Sequence, residues 1–123
     1  MADLKVEFAG LKLKNPVMPA AGPPVKDAKA AARAKDGGAG AIVTKTISTT
    51  AAKVPRPNMA RIKGGFLNTE LWSELTPEHW FEEEYPKIRE IGLPVIAGIG
   101  YTKDQIRELA KKVEEYADAL ELS

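Results

Sequence analysis

The chain begins with a short alternation of apolar and polar residues. Leu4, Val6 and Phe8 alternate with polar or small neighbours, Gly10 interrupts the pattern, and two leucines resume it at positions 11 and 13. Alternation predicts a strand with one covered face, and a glycine between two such runs predicts a tight turn. We therefore predict a small antiparallel hairpin over residues 4–13.

Four later apolar runs are short and bounded by turn residues, which is typical of strands that are covered on both faces. They are "NPVMPAAG" (15–22), "AIVTK" (41–45), "LPVIAGIG" (93–100) and "ADALELS" (117–123).

Three helical segments separate these runs. The first is alanine-rich and ends at Gly37 and Gly38, a common helix stop. The second starts at Thr76 with a proline following, although Pro86 should bend or interrupt it. The third opens with a capping box formed by Thr102 and a glutamine three residues later. Residues 46–76 show no clear period, so they are expected to form a functional or disordered loop.

Alternation of strands and helices predicts parallel strands joined by right-handed crossovers. A (βα)₈ barrel normally needs about 250 residues, and this chain of 123 residues supplies four of eight strands. We therefore predict an α/β fold, the first half of a (βα)₈ barrel with an N-terminal hairpin, in which residues 1–123 form a single half-barrel segment. The outer strands would have unpaired edges that a missing C-terminal half or a complementing subunit could cover. A small open α/β sheet is the alternative.

Composition removes several classes of function. The net charge of +1 gives no field that would attract nucleic acid or an anionic membrane. The chain has no cysteine and one histidine, which argues against thiolate chemistry and a histidine-rich metal site. Without a signal peptide or an apolar stretch of about 20 residues, the expected location is the cytoplasm.

In barrels the functional groups lie at the C-terminal ends of the strands. Here those positions carry mostly small residues, with a single lysine and a few hydroxyls. Small residues let a flat ligand lie against the backbone, and a lysine beside it can stabilise negative charge on a ring. The positions are Ala20, Ala21, Gly22, Lys45, Thr46, Gly98, Gly100, Glu121 and Ser123.

Four segments in order, "VEFAGLKLKNPVMPAAG", "IVTKTIS", "FLNTELWSELTPEHW" and "ADALELS", resemble the flavin-binding barrel of the dihydroorotate dehydrogenase family, most nearly its dihydropyrimidine dehydrogenase branch. The resemblance implies an FMN-dependent oxidoreductase of pyrimidine metabolism that transfers hydride between the flavin and a small ring substrate. It places Ala20, Ala21 and Gly22 against the flavin. It places Lys45 and Thr46 at the flavin's pyrimidine edge, and it places Lys45 and Asn68 near the substrate.

The resemblance also has limits. Ala21 stands where relatives often have serine, and Ser123 where they usually have asparagine. The family's general base lies just beyond Ser123, so no catalytic residue is expected within the chain. The phosphate-binding loops are also not in this chain, so the chain alone should hold FMN poorly and be inactive. The electron partner could be NAD(P)H or an iron–sulfur protein, and an oligomer is expected.

Other interpretations remain open from the residues alone. Lys45 could be a surface lysine at a strand end, and Asn68 after a glycine pair could be only a turn residue. The chain could be a non-catalytic half-barrel whose role is association. It could also be part of an unrelated barrel enzyme, such as an aldolase that uses Lys45 as a Schiff base.

Overall fold

The computed structural model describes residues 2–123, and its first element is the expected hairpin. Strand β1 (Val6–Phe8) pairs antiparallel with β2 (Leu11–Leu13). Ala9 and Gly10 between them have φ values of 49° and 77°. Two successive positive φ angles are those of the turn that matches the twist of a two-residue hairpin. The predicted hairpin is confirmed, but the covered face is not: all three residues of β1 are exposed, and only Leu13 of β2 is buried.

A three-stranded parallel sheet forms the centre of the fold. Its strands are β3 (Ile42–Val43), β6 (Val95–Ile99) and β7 (Ala119–Leu122), with β6 in the middle. Both pairings are parallel. Three of the four predicted buried runs therefore form strands, within a mixed α/β architecture.

The prediction of a strand in residues 15–22 is wrong. This segment contains no strand, and its residues are exposed or half-buried. Pro16 and Pro19 have no backbone N–H to donate to a ladder. The Val17 carbonyl does accept a bond of 2.8 Å from the N–H of Gly40. Among the described residues the parallel sheet thus has three strands instead of four.

The first and last predicted helices are confirmed. Helix α1 (Ala28–Asp36) begins at Asp27, whose carboxylate accepts from the N–H of Ala30 at 2.7 Å. Two residues beyond its end, Gly38 has a φ of 93°. Helix α4 (Lys103–Val113) opens with the complete capping box at Thr102.

The middle helical segment is interrupted where Pro86 predicts it. It consists of α2 (Pro77–His79), a π-helical stretch (Trp80–Glu84) and α3 (Tyr85–Glu90). Because proline cannot donate a helical hydrogen bond, a wider turn just before it accommodates the missing donor. No helix in the described part of the chain is both long and apolar enough to cross a membrane.

The loop predicted over residues 46–76 contains a second hairpin that the sequence did not reveal. Strands β4 (Met59–Ile62) and β5 (Gly65–Asn68) pair antiparallel, and all eight residues are exposed. A strand without a buried face has no reason to alternate apolar and polar residues, which is why the pattern gave no signal.

The core lies between one face of the parallel sheet and the helices that pack on it. Its largest side chains are fully buried. The main residues of this cluster are Ile42, Val95, Ala97 and Ile99 from the sheet and Trp80, Tyr85, Ile88, Leu109 and Val113 from the helical segments.

Candidate functional site

An extra residue follows β3 at the end that carries the predicted lysine. Thr44 N–H donates to the Ile96 carbonyl, and Ile47 N–H donates to the Gly98 carbonyl, both at 2.9 Å. From Thr44 to Ile47 the chain advances three residues while β6 advances two, from Ile96 to Gly98. One extra residue on one strand is a β-bulge. Lys45 N–H leaves the sheet and donates instead to the Val25 carbonyl at 3.1 Å. The bulge turns the chain so that the side chains of this short segment leave strict alternation.

The bulge depends on a close approach of two backbones. A Cβ atom built on Gly98 would lie 2.9 Å from the Thr44 carbonyl oxygen and 3.1 Å from Thr46 Cα. Gly98 N–H also donates to the Thr44 hydroxyl at 3.1 Å. The hydroxyls around the lysine thus help to order this loop, as the Thr46 hydroxyl does at 3.5 Å from that of Ser123.

Lys45 is buried and forms an ion pair. The residue is 5% exposed, and its Nζ lies 2.6 Å from Oε2 of Glu70. The Glu70 side chain is itself only 15% exposed. A buried charge requires a partner, because removing it from water without one costs several kcal/mol. This pairing excludes the interpretation of Lys45 as an ordinary surface lysine.

Glu70 belongs to a network at the base of the β4–β5 hairpin. Its Oε1 accepts from Asn58 Nδ2, and its backbone N–H donates to Asn68 Oδ1 at 2.9 Å. The base is closed by Thr69 N–H, which donates to the Asn58 carbonyl at 2.8 Å. The hairpin therefore positions Asn68 and Glu70 on the same side of the molecule as the bulge.

Five of the six residues that the resemblance places near the flavin or the substrate line one cavity of about 210 Å³. Its wall combines small residues from the loop before α1, the bulge, the hairpin base and the end of β6. The full lining is Ala21, Gly22, Pro23, Lys45, Thr46, Asn68, Glu70, Leu71 and Tyr101. Residues distant in sequence thus meet at the C-terminal end of the parallel sheet.

Ala20 is the exception among these six residues, and Glu121, another predicted strand-end position, lies with it. It lines a different, mainly apolar cavity of about 430 Å³, together with Met18, Val43 and Ile96. Gly22, by contrast, has a φ of 144° and a side of its backbone without close neighbours, since a Cβ there would meet only Pro24 Cδ at 3.8 Å. This backbone surface is open to a flat group.

Sequence reasoning missed Glu70 and Tyr101. Glu70 lies two residues after Asn68, in a segment already singled out, and a buried lysine would have been a reason to look for a carboxylate. Tyr101 follows β6 and packs edge-on against Trp72 with ring centroids 5.3 Å apart. Partial burial raises the pKa of Tyr101, so its phenol stays neutral at physiological pH. The cavity thus has an aromatic wall as well as a charged one.

A second cavity, of about 460 Å³, adjoins the same ion pair. Lys45 and Glu70 line both cavities. Arg56 lines the larger cavity and pairs with Glu74 at 2.6 Å.

Comparison with known proteins gives one family. The family model described as dihydroorotate dehydrogenase matches residues 3–123. The chain is 32% identical over 126 residues to the protein named dihydroorotate dehydrogenase B (NAD(+)), catalytic subunit, of Methanocaldococcus jannaschii, covering 98% of this chain and 41% of that protein. The protein of the same name from Geotalea uraniireducens is 35% identical over 115 residues, covering 92% and 38%. That of Methanothermobacter thermautotrophicus is 34% identical over 122 residues, covering 98% and 40%.

The chain therefore spans about two fifths of the length of the curated relatives it matches. The match begins before the N-terminal hairpin, runs through the bulge, the second hairpin and the capping box, and reaches Ser123. Since the family model covers nearly the whole sequence, the chain belongs to the dihydroorotate dehydrogenase family.

Proposed function

We propose that this chain is the first half of the (βα)₈ barrel of an FMN-dependent oxidoreductase of the dihydroorotate dehydrogenase type, acting in pyrimidine metabolism. In this proposal the cavity of about 210 Å³ is one wall of the site in which the flavin ring and a small ring substrate meet. One observation carries the proposal above all: a buried lysine meets small residues and an asparagine at the C-terminal end of a parallel sheet.

The residues present fit a flavin ring. Gly22 leaves one side of its backbone uncovered, and Ala21 and Lys45 line the same cavity. When bound, FMN would supply hydride acceptance and donation. Lys45 would then place positive charge where negative charge develops on the ring, in a site of low dielectric. Asn68 would offer amide groups to the substrate or to the ring edge.

The cavity in this chain is smaller than a complete site. Pockets for small molecules usually measure roughly 300–1,000 Å³, whereas this one measures about 210 Å³. The remaining walls, the general base and the phosphate-binding loops would come from the missing C-terminal half or from a complementing subunit. Relatives are named catalytic subunits and carry NAD(+) in their names. NAD(P)H or an iron–sulfur protein is accordingly the proposed electron partner, within a cytoplasmic oligomer.

The free edge of the sheet supports association with the rest of such a barrel. Strand β7 pairs on one side only among the described residues, and it exposes Leu120 at 42% and Leu122 at 62%. A strand edge with exposed leucines invites pairing with further chain. Association is therefore part of the proposed function, and a half-barrel that serves only for association is not needed to explain the exposed edge.

The Schiff-base alternative is disfavoured by the ion pair. An aldolase lysine must have its nitrogen free to attack a carbonyl carbon, whereas Lys45 Nζ is engaged by the Glu70 carboxylate at 2.6 Å. Borohydride should therefore trap no carbonyl substrate on Lys45.

The test uses the chain alone, with flavin binding followed by NMR. Titration with FMN should shift the amide signals of Ala21, Gly22, Lys45 and Thr46, with weak affinity. Riboflavin should shift them equally, because the chain contributes to ring binding and not to phosphate binding. Lys45→Met should weaken both titrations, while Lys53→Met, which changes an exposed lysine, should leave them unchanged.

Two results would contradict the proposal. One is the absence of shifts around the bulge at the highest soluble flavin concentration. The other is a set of shifts that maps to a different surface and does not respond to Lys45→Met.

A further inference from the structure

We propose that Glu70 is the positioning residue of this site: it fixes the Lys45 ammonium in the cavity wall and links it to the base of the β4–β5 hairpin. The inference rests on the proposed function for its purpose, but its geometry stands independently. Neither composition nor spacing had singled out this carboxylate.

The first argument is the freedom that Lys45 would otherwise have. A lysine side chain has four rotatable bonds and a strongly hydrated head group. Lys45 lines both cavities, so without a partner its ammonium could turn into either of them. The contact of 2.6 Å with Glu70 selects one position.

The second argument is that Glu70 is itself held at three points. One carboxylate oxygen faces Lys45, the other accepts from the Asn58 side chain, and the backbone N–H donates to Asn68. A carboxylate whose two oxygens are both engaged has little rotational freedom, and fixed supporting groups of this kind hold functional side chains within narrow limits.

The third argument is that the network joins elements that are far apart in sequence. Lys45 belongs to the bulge after β3, while Asn58, Asn68 and Glu70 flank an exposed hairpin. Glu70 is the group that touches all three of the others. Removing its charge should therefore release the lysine without unfolding the sheet, because neither Lys45 nor Glu70 belongs to the hydrophobic core cluster.

The experiment measures the acetylation rate of each lysine in the 123-residue chain by mass spectrometry. Lys45 should react far more slowly than exposed Lys53. Glu70→Gln should raise the acetylation rate of Lys45 about tenfold or more, because a hydrogen bond between charged groups is lost. Glu74→Gln is the matched control. It breaks the exposed ion pair with Arg56 and should change the acetylation rate of Lys45 by less than about twofold.

Asn58→Ala provides a second variant. It should raise the acetylation rate of Lys45 by a smaller factor than Glu70→Gln does. Lys45 should react no faster in the variant that carries both changes than in Glu70→Gln alone, because Asn58 acts through Glu70. Thermal unfolding and the rates of the other lysines serve as internal standards of the fold.

Two results would overturn the proposal. In one, Lys45 stays slow in folded Glu70→Gln. In the other, every lysine accelerates together, which would mean that Glu70 only stabilises the fold. Neither result depends on flavin. A titration with FMN then adds the functional readout: Glu70→Gln should weaken it, and Glu74→Gln should not.

Discussion

Gly98→Ala tests the close approach on which the bulge depends. The new methyl carbon would lie 2.9 Å from the Thr44 carbonyl oxygen, 3.1 Å from Thr46 Cα and 3.2 Å from Thr46 N. All three neighbours are backbone atoms, so no side-chain rotation can relieve the contact. The two strands must separate, or the bulge must change its shape.

The expected loss of stability follows from two effects. Extra atoms in a packed interior typically cost about 1–3 kcal/mol. Separation would also weaken the bonds from Ile47 N–H to the Gly98 carbonyl and from Gly98 N–H to the Thr44 hydroxyl, each worth about 1 kcal/mol. We expect the free energy of unfolding to fall by about 2–4 kcal/mol, a large part of the roughly 5–15 kcal/mol typical of a domain.

Urea unfolding followed by tryptophan fluorescence measures this change, since Trp80 is fully buried. Gly37→Ala is the control, because its φ is −72° and its added methyl would lie no closer than 3.4 Å to the nearest backbone oxygen. That variant should be neutral or more stable by up to about 1 kcal/mol. A Gly98→Ala chain within about 0.5 kcal/mol of wild type would refute the argument from close approach.

Three further predictions concern the helices and the core. Tyr85→Phe should leave stability unchanged or raise it by about 1 kcal/mol in urea unfolding, because the buried Tyr85 hydroxyl has no hydrogen-bond partner of good geometry within residues 2–123; a clear loss would contradict this. Burial raises the pKa of Tyr85 to about 12, opposed by the nearby Thr44 hydroxyl. In the unfolded chain this phenol ionises from about pH 10. The free energy of unfolding of wild type should therefore fall by about 1.4 kcal/mol per pH unit relative to that of Tyr85→Phe between pH 10 and 12. A difference between the two proteins that stays constant over this range would exclude the raised pKa. Thr102→Ala removes the capping box and should lower stability by about 1 kcal/mol in thermal unfolding. The neighbouring change Lys103→Ala should alter stability little. Equal losses in the two variants would argue against a stabilising cap.

Part of the candidate site followed from the sequence because strand ends are local features. The run "AIVTK" marks where β3 finishes, and the rule for parallel sheets places Lys45 and Thr46 at the functional end. The cavity brings these residues together with Ala21, Gly22 and Asn68, while Ala20 lies elsewhere. Their roles toward flavin and substrate stay predictions.

The acidic partner of Lys45 could not be predicted in the same way. Glu70 follows a hairpin whose eight exposed residues leave no periodic signal. Its contact with Lys45 spans 25 positions and depends on how that hairpin folds back over the bulge. Another carboxylate nearby, Glu74, pairs with Arg56 instead.

The sequence by itself determined the elements whose causes lie within a few residues. They are the first hairpin through Gly10, the helix starts at Thr76 and Thr102, the end of the first helix before Gly38, and the interruption near Pro86. Only the tertiary structure decided that residues 15–22 form no strand, that β3 carries a bulge, and that a lysine is buried beside a carboxylate. The physical reason is the separation along the sequence between the interacting residues. Caps and turns are hydrogen-bonded within one or two turns of chain, whereas strand pairing and the neutralisation of a buried charge depend on partners that only the complete fold brings into contact.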